Sequence, residues 1–132
     1  MNENISTNKN QIKVCLIDDD ENFREIYSVA LQKEGFCIHT ADNGKEGLEL
    51  VRKEYPDIIL LDLQMSKLDG FEVLKNLSSD KSFSKIPVII LSNNDKDVAF
   101  EKVGTFETKF FLVKILTTPK EVAGIIREIL SV

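Results

Sequence analysis

The chain has 132 residues, which is enough for one domain with a sizeable hydrophobic core. Its composition, 42% hydrophobic and 30% charged, is ordinary for a globular protein that folds in water. A formal net charge of −5 argues against nucleic acid as the main partner, because the chain has no basic stripe to neutralise phosphates. No apolar run is long enough to cross a membrane and the first residues form no apolar signal segment, so we expect a cytoplasmic protein that does not bind membranes.

Residues 1–11 are polar, rich in Asn and without periodicity, and we expect a disordered tail followed by one domain over residues 12–132. Cys15 and Cys37 both fall in predicted strands. In a cytoplasmic chain without a CxxC or His/Cys cluster, we interpret them as buried thiols rather than as a disulfide or a metal pair. His39 lies in a predicted edge strand, and we assign it a structural role.

Five short apolar segments alternate with segments that carry helix signals. The predicted strands are Val14 to Ile17, Phe36 to Thr40, Ile58 to Leu61, Val88 to Leu91 and Phe110 to Val113. The predicted helices start at the caps Asp20, Asn43, Asp69, Asn94 or Asp95, and Thr118. This βαβαβαβαβα order predicts a parallel sheet with helices on both faces and right-handed crossovers.

Two helices carry more specific expectations. On the first, Phe23, Ile26, Tyr27, Ala30 and Leu31 recur at helical spacing and are predicted to form one apolar face. On the second, Gly47 is predicted to let the helix lie close to the sheet. The fourth predicted helix is a weak one, which carries Val98, Ala99 and Val103 and is interrupted at Gly104.

Asp62 stands at the end of the most apolar strand of the chain. Its four preceding aliphatic residues are typical of a central strand buried on both faces. A carboxylate at the end of such a strand is costly unless something pairs with it. Open α/β sheets bind their ligands at that end of the strands, so Asp62 is the first candidate for chemistry.

Three other strands also end in a polar residue, and together these strand ends are Asp18/Asp19, Asp62, Ser92 and Lys114. The fold brings them together although they lie far apart in the chain. Two carboxylates ~4 Å apart repel by ~4 kcal/mol at an effective dielectric constant near 20. A bound divalent cation removes that repulsion, and an all-oxygen carboxylate site suits Mg²⁺.

These motifs resemble the receiver domain of bacterial two-component response regulators, from about Lys13 to Leu130. The resemblance rests on Leu16-Ile17-Asp18-Asp19-Asp20, Ala41-Asp42-Asn43-Gly44, Pro56 to Met65, Leu68-Asp69-Gly70, Pro87 to Ser92, and Lys114. It implies a flavodoxin-like (βα)5 three-layer α/β sandwich with a parallel five-stranded sheet of order 2-1-3-4-5.

The resemblance also implies a role for each residue at the strand ends. Asp62 is the expected phosphoacceptor, a carboxylate nucleophile. Asp18, Asp19, Asp62 and the backbone carbonyl of Gln64 are the expected Mg²⁺ ligands. Lys114 is expected to pair with the acyl phosphate, and the Ser92 hydroxyl to donate to a phosphoryl oxygen.

The expected tuning and switching residues complete that assignment. Gln64 and Asn94 are expected to tune hydrolysis of the acyl phosphate, and Ser92 and Phe111 to act as the switch.

The implied function is a phosphoacceptor switch in a two-component phosphorelay, rather than an enzyme that acts on other molecules. The expected partner is a sensor histidine kinase or a phosphotransfer protein. A homodimer could form through the face made by the fourth helix, the fifth strand and the fifth helix. The domain itself is not expected to bind nucleic acid.

Five residues depart from the family pattern and keep an alternative open. Ser66, Asn93, Glu107 and Ile115 replace the usual residues near the site, and Phe111 lacks the hydroxyl often found at its position. The alternative is a receiver-like interaction module that works without phosphate. A Mg²⁺-dependent phosphatase with an Asp nucleophile fits less well, because Asp62-Leu63-Gln64 lacks the second Asp that serves as general acid.

Overall fold

The computed structural model describes residues 11–65, 69–92, 109–114 and 117–132, with residues 109–113 described by their backbone. The predicted tail, apart from Gln11, and the predicted helix around 95–103 lie outside the described residues.

The described strands form one parallel sheet. They are β1 (Lys13–Ile17), β2 (Cys37–Ala41), β3 (Ile58–Asp62), β4 (Val88–Ser92) and β5 (Lys109–Val113). Their order in the sheet is β2-β1-β3-β4-β5, and every neighbouring pair is parallel. The expected order and the edge position of β2 are therefore confirmed.

Strand β2 begins one residue later than predicted. The Phe36 N–H donates to Leu31 O at 3.1 Å, so Phe36 still belongs to the turn that ends the preceding helix. Cys37 is the first residue to pair with the neighbouring strand, and its N–H donates to Ile12 O at 2.9 Å.

The four described helices begin where their caps predict. They are α1 (Glu21–Lys33), α2 (Gly44–Glu54), α3 (Gly70–Ser79) and α4 (Pro119–Leu130). The caps Asp20, Asn43, Asp69 and Thr118 each accept a hydrogen bond from the backbone N–H three residues on. None of these four helices is long and apolar enough to cross a membrane.

The sheet separates two hydrophobic cores. Helices α2 and α3 cover one face, where Ile17, Ile59 and Leu61 are buried. Helices α1 and α4 cover the other face, which buries the alternate strand residues, such as Leu16 and Leu60. The side chains alternate because successive residues of a strand point to opposite faces, and this arrangement confirms the three-layer α/β fold.

One predicted core position is wrong. Ile26 is 60% exposed, whereas Tyr27 and Leu31 on the same helix are buried. The apolar arc of α1 is wider than the strip of the helix that contacts the sheet, so its outer edge faces solvent.

The prediction for Gly47 is confirmed. A Cβ atom at this position would lie 2.7 Å from the side chain of Ile17, so α2 packs on the sheet at a distance that only glycine allows.

Both cysteines are free thiols, as predicted, with Cys15 buried and Cys37 half-buried. Burial raises the pKa of Cys15 to about 12, so its thiol stays protonated at neutral pH. The structure also brings together a His/Cys contact that the sequence did not indicate. His39 Nε2 lies 3.6 Å from Cys37 Sγ and 3.3 Å from Glu54 Oε1.

Candidate functional site

Four polar side chains meet at the carboxyl ends of the strands. Asp18 directly follows β1, Asp62 ends β3, Ser92 ends β4 and Lys114 directly follows β5. Because these strands are parallel, their carboxyl ends share one edge of the sheet. Asp18, Asp62 and Ser92 are buried with at most 2% exposure, and the Lys114 side chain is 7% exposed.

Three carboxylates form a compact acidic cluster. Asp18, Asp19 and Asp62 each offer one oxygen, and these oxygens all lie within 4.8 Å of one another. Within the part of the chain that the structure describes, no other group of three His, Cys, Asp or Glu side chains is as close. Asp19 is exposed while the other two are buried, so the cluster is open to solvent on the side of Asp19.

The backbone around Asp18 is held from three directions. Its N–H donates to Ala41 O at 3.1 Å, and its carbonyl accepts from Arg24 Nη1 at 2.8 Å. Its carboxylate Oδ1 accepts the Asp20 N–H at 2.9 Å. Nothing in the sequence pointed to Arg24, which lies six residues further on and reaches the loop from the first turn of α1.

The second carboxylate oxygen of Asp18 faces Lys114. Asp18 Oδ2 lies 2.8 Å from Lys114 Nζ, so the two charges form a buried ion pair. Beyond this ion pair, no N–H or O–H group of the described residues donates a hydrogen bond to this oxygen. A carboxylate oxygen has more than one lone pair, so it can also accept a further cation.

Asp62 is held at the start of the loop that follows β3. Its Oδ1 accepts the backbone N–H of Gln64 at 3.1 Å, and the Gln64 residue itself is exposed. Burial, with the nearby Asp18 charge as the second cause, raises the pKa of Asp62 to about 7, while Lys114 acts in the opposite direction. The cluster therefore holds more negative charge than its protein surroundings stabilise.

These observations fit a hard divalent cation. The ligand set is all oxygen, one buried Asp18 oxygen has no donor besides Lys114 among the described residues, and the exposed Asp19 leaves room for the waters that Mg²⁺ retains. A dication between the carboxylates would also remove the repulsion between Asp18 and Asp62 that contributes to the raised pKa.

Gly70 allows the start of α3 to pack directly against the loop of Asp62. The Gly70 N–H donates to Leu63 O at 3.0 Å, at the start of α3. A Cβ atom here would lie 2.4 Å from the backbone oxygen of Asp62 and 2.5 Å from Leu63 Cα. Both atoms belong to the backbone and cannot rotate away, so the approach of α3 to the site requires glycine at this position.

An aromatic ring flanks Lys114. The ammonium lies 4.3 Å from the centroid of the Phe23 ring, on α1. The sequence placed Phe23 on the apolar face of α1, and the ring does pack partly buried against the core. Its second contact, with the charged end of Lys114, could not be read from helical periodicity.

Several predicted residues lie outside the described part. Asn94 belongs to them, as do four of the departures from the family pattern, namely Ser66, Asn93, Glu107 and Ile115. Phe111 lies in β5, and its side chain is not described.

The fold and the acidic cluster define a class of protein, and comparison with known sequences agrees. Residues 14–126 match the family of response regulator receiver domains, and the chain belongs to that family. It is therefore a two-component signalling domain, as the motifs at the strand ends indicated.

Individual relatives support the assignment. The chain is 35% identical over 119 residues to a probable transcriptional regulator, ycf27, of Guillardia theta, covering 89% of this chain and 45% of that protein. It is 34% identical over 85 residues to the protein PilH of Pseudomonas aeruginosa, covering 64% of this chain and 70% of that protein. The chain spans less than half of the length of the ycf27 regulator.

Solved structures have the same fold. The chemotaxis protein CheY4 of Vibrio cholerae superposes with a TM-score of 0.83 at 24% identity, over 90% of this chain and 98% of that one. A putative response regulator from Chloroflexus aurantiacus gives a TM-score of 0.84 at 21% identity, over 92% and 99% of the two chains.

Proposed function

We propose that Asp62 accepts a phosphoryl group from the phosphohistidine of a sensor histidine kinase or a phosphotransfer protein. The observation that carries this proposal is the position of Asp62, buried at the end of the central strand within 4.8 Å of two further carboxylates. Lys114, which is ion-paired to Asp18, supplies a cation at the same place. A solvated acidic surface would need neither the burial nor the lysine.

In the proposed reaction an Asp62 carboxylate oxygen attacks the phosphorus atom. The new P–O bond forms as the P–N bond breaks, and the leaving imidazole nitrogen keeps the electron pair and takes up a proton. The product is an aspartyl phosphate. A Mg²⁺ ion held by Asp18, Asp19, Asp62 and the Gln64 carbonyl would supply charge neutralisation for the phosphoryl oxygens.

The protein's own groups have separate roles in this scheme. Lys114 moves part of its interaction from Asp18 to the new phosphoryl group, since an ammonium has three donors. The Ser92 hydroxyl donates to a phosphoryl oxygen. Gln64 and Asn94 influence the attack of water on the aspartyl phosphate. The domain thus catalyses its own phosphorylation and dephosphorylation and no reaction of another substrate.

The proposed output is a change of a protein-binding surface. Ser92 and Phe111 couple the phosphoryl group to one face of the domain. This face is made by the predicted fourth helix around residues 95–103, by β5 and by α4, which is the fifth helix predicted from the sequence. It is also the candidate surface for a homodimer. The phosphate-independent interaction module remains the competing proposal, because Asn93 and Ile115 depart from the family pattern beside the switch residues.

Intact-mass spectrometry with a small acyl-phosphate donor tests the proposal. We expect one phosphate adduct on the wild type in the presence of Mg²⁺, none after chelation of Mg²⁺, and none on Asp62→Asn. An adduct that persists on Asp62→Asn would refute the assignment of the acceptor. A wild type that takes up no phosphate and binds no beryllofluoride would favour the interaction module.

A further inference from the structure

Among the described residues, Asp18 and Phe23 lie close to the charged end of Lys114. The ammonium lies 2.8 Å from Asp18 Oδ2 and 4.3 Å from the centroid of the Phe23 ring. The Lys114 side chain is 7% exposed, so water reaches little of it. A cation–π contact gains strength when the cation is desolvated in this way.

The Phe23 ring is itself packed against Tyr27. It stacks on the ring of Tyr27, with centroids 4.1 Å apart and an angle of 17° between the planes. The Tyr27 hydroxyl donates to Thr117 O at 3.1 Å, and the Thr117 N–H donates to Lys114 O at 3.2 Å. Phe23, Tyr27 and Thr117 thus form a ring of contacts that starts at the Lys114 ammonium and returns to the Lys114 backbone.

These contacts give Phe23 a role beyond core packing. A leucine would fill much of the same apolar space, but it has no π face to attract the ammonium. Without the ring, the Lys114 ammonium would lose one of its two contacts with the described residues, and the flexible four-carbon stem could take other rotamers or admit water to the ammonium.

We propose that Phe23 is a positioning residue for Lys114. The Phe23 ring shields the ammonium from water and keeps it directed towards the phosphoryl group on Asp62. This inference rests on the proposed function of Asp62. Asp18 keeps its contacts with Arg24 and with the Asp20 N–H when Phe23 is replaced, and Phe23 reaches the metal site through the Lys114–Asp18 ion pair. We therefore expect Phe23 to affect anion binding more strongly than Mg²⁺ binding.

The test compares Mg²⁺ affinity with beryllofluoride affinity at saturating Mg²⁺, both by calorimetry. Phe23→Leu is expected to weaken beryllofluoride binding at saturating Mg²⁺ by roughly threefold to thirtyfold, a larger factor than the change in its Mg²⁺ affinity. Phe23→Tyr and Phe23→Trp keep a ring and are expected to bind beryllofluoride within about twofold of the wild type, since either ring can carry the contact.

Phe36→Leu provides the matched control. Phe36 is buried and faces another cation, Arg127, 5.0 Å from its ring centroid. It lies immediately before β2, at the opposite end of the strands from Asp62. We expect this variant to lose stability and to keep its beryllofluoride affinity.

The outcomes separate the two proposals. Equal or stronger beryllofluoride binding by Phe23→Leu, with the wild type binding normally, refutes the role of Phe23 and leaves the proposed function intact. An equal loss in Phe36→Leu, or no recovery in Phe23→Tyr and Phe23→Trp, would show that the effect is general destabilisation and refute the inference. A wild type that binds Mg²⁺ but no beryllofluoride removes the proposed function and this inference with it.

Discussion

Gly70→Ala is the most direct test of how α3 positions Asp62. The added Cβ would lie 2.4 Å from Asp62 O and 2.5 Å from Leu63 Cα, whereas carbon atoms pack best at about 3.5–4.0 Å. The clash is therefore about 1 Å deep and involves two backbone atoms. It can be relieved only if the start of α3 and the loop of Asp62 move apart, which also strains the 3.0 Å hydrogen bond from Gly70 N to Leu63 O.

We expect this substitution to destabilise the domain by about 3 kcal/mol, the upper end of the usual cost of overpacking, because no side chain can rotate away. That is a large part of the ~7–20 kcal/mol expected for a domain of this size, so the protein stays folded. The midpoint of thermal unfolding should fall by roughly 10 °C.

Gly124→Ala is the matched control, since it makes the same change inside α4. A Cβ at Gly124 meets no atom within 4 Å, so the better helix propensity of alanine should stabilise the domain by ~1 kcal/mol. Urea unfolding of both variants gives the two free energies, and beryllofluoride titration reports on the Asp62 loop. If Gly70→Ala unfolds at the wild-type midpoint and binds beryllofluoride normally, the proposed constraint on the loop is wrong.

Three further predictions follow from the site. Asp19→Ala should abolish measurable Mg²⁺ binding, and equal losses of Mg²⁺ affinity in Asp19→Ala and Asp20→Ala by calorimetry would contradict this assignment. Asp20→Ala should leave Mg²⁺ binding nearly unchanged but cost ~1 kcal/mol of stability in urea unfolding, because Asp20 caps α1. Asp62→Asn should raise the unfolding free energy in Mg²⁺-free buffer at pH 8 by roughly 1–3 kcal/mol, because it removes a buried charge; an unfolding curve at or below that of the wild type would argue against this electrostatic account. Backbone NMR with beryllofluoride should show shift changes across residues 92–116, and changes confined to the loops of Asp18 and Asp62 would mean that phosphate binds without switching the output face.

The alternation of apolar segments and helix caps predicted the elements of the described part and their parallel sheet, whereas the order of the strands came from the family resemblance. Asp20, Asn43 and Thr118 mark helix starts because their side chains bond the backbone three residues on, which is a local interaction. The exposure of Ile26 could not be read in the same way. The periodicity of a helix shows which side is apolar, but how much of that side is covered depends on the shape of the neighbouring elements.

In the candidate site, too, some residues were found from the sequence and others only from the structure. Asp18, Asp19, Asp62, Ser92 and Lys114 were found from the sequence, because each stands where an apolar strand ends and parallel strands share that edge. The contacts that Arg24 and Phe23 make in this site had no such signal, and Gly70 was noted only as part of a family motif. Each acts through a contact with a residue on another element, at a distance set by how α1 and α3 pack.

The sequence by itself thus determined which elements form and which chemical groups stand at the ends of the strands, since caps and periodicity depend on neighbours a few residues away. Tertiary structure alone decided that Lys114 pairs with Asp18 Oδ2 and lies against Phe23, and that burial raises the pKa of Asp62. The physical reason is that ion pairing, desolvation and ring contact depend on distances through space. Those distances become defined only when segments remote in the chain pack against one another.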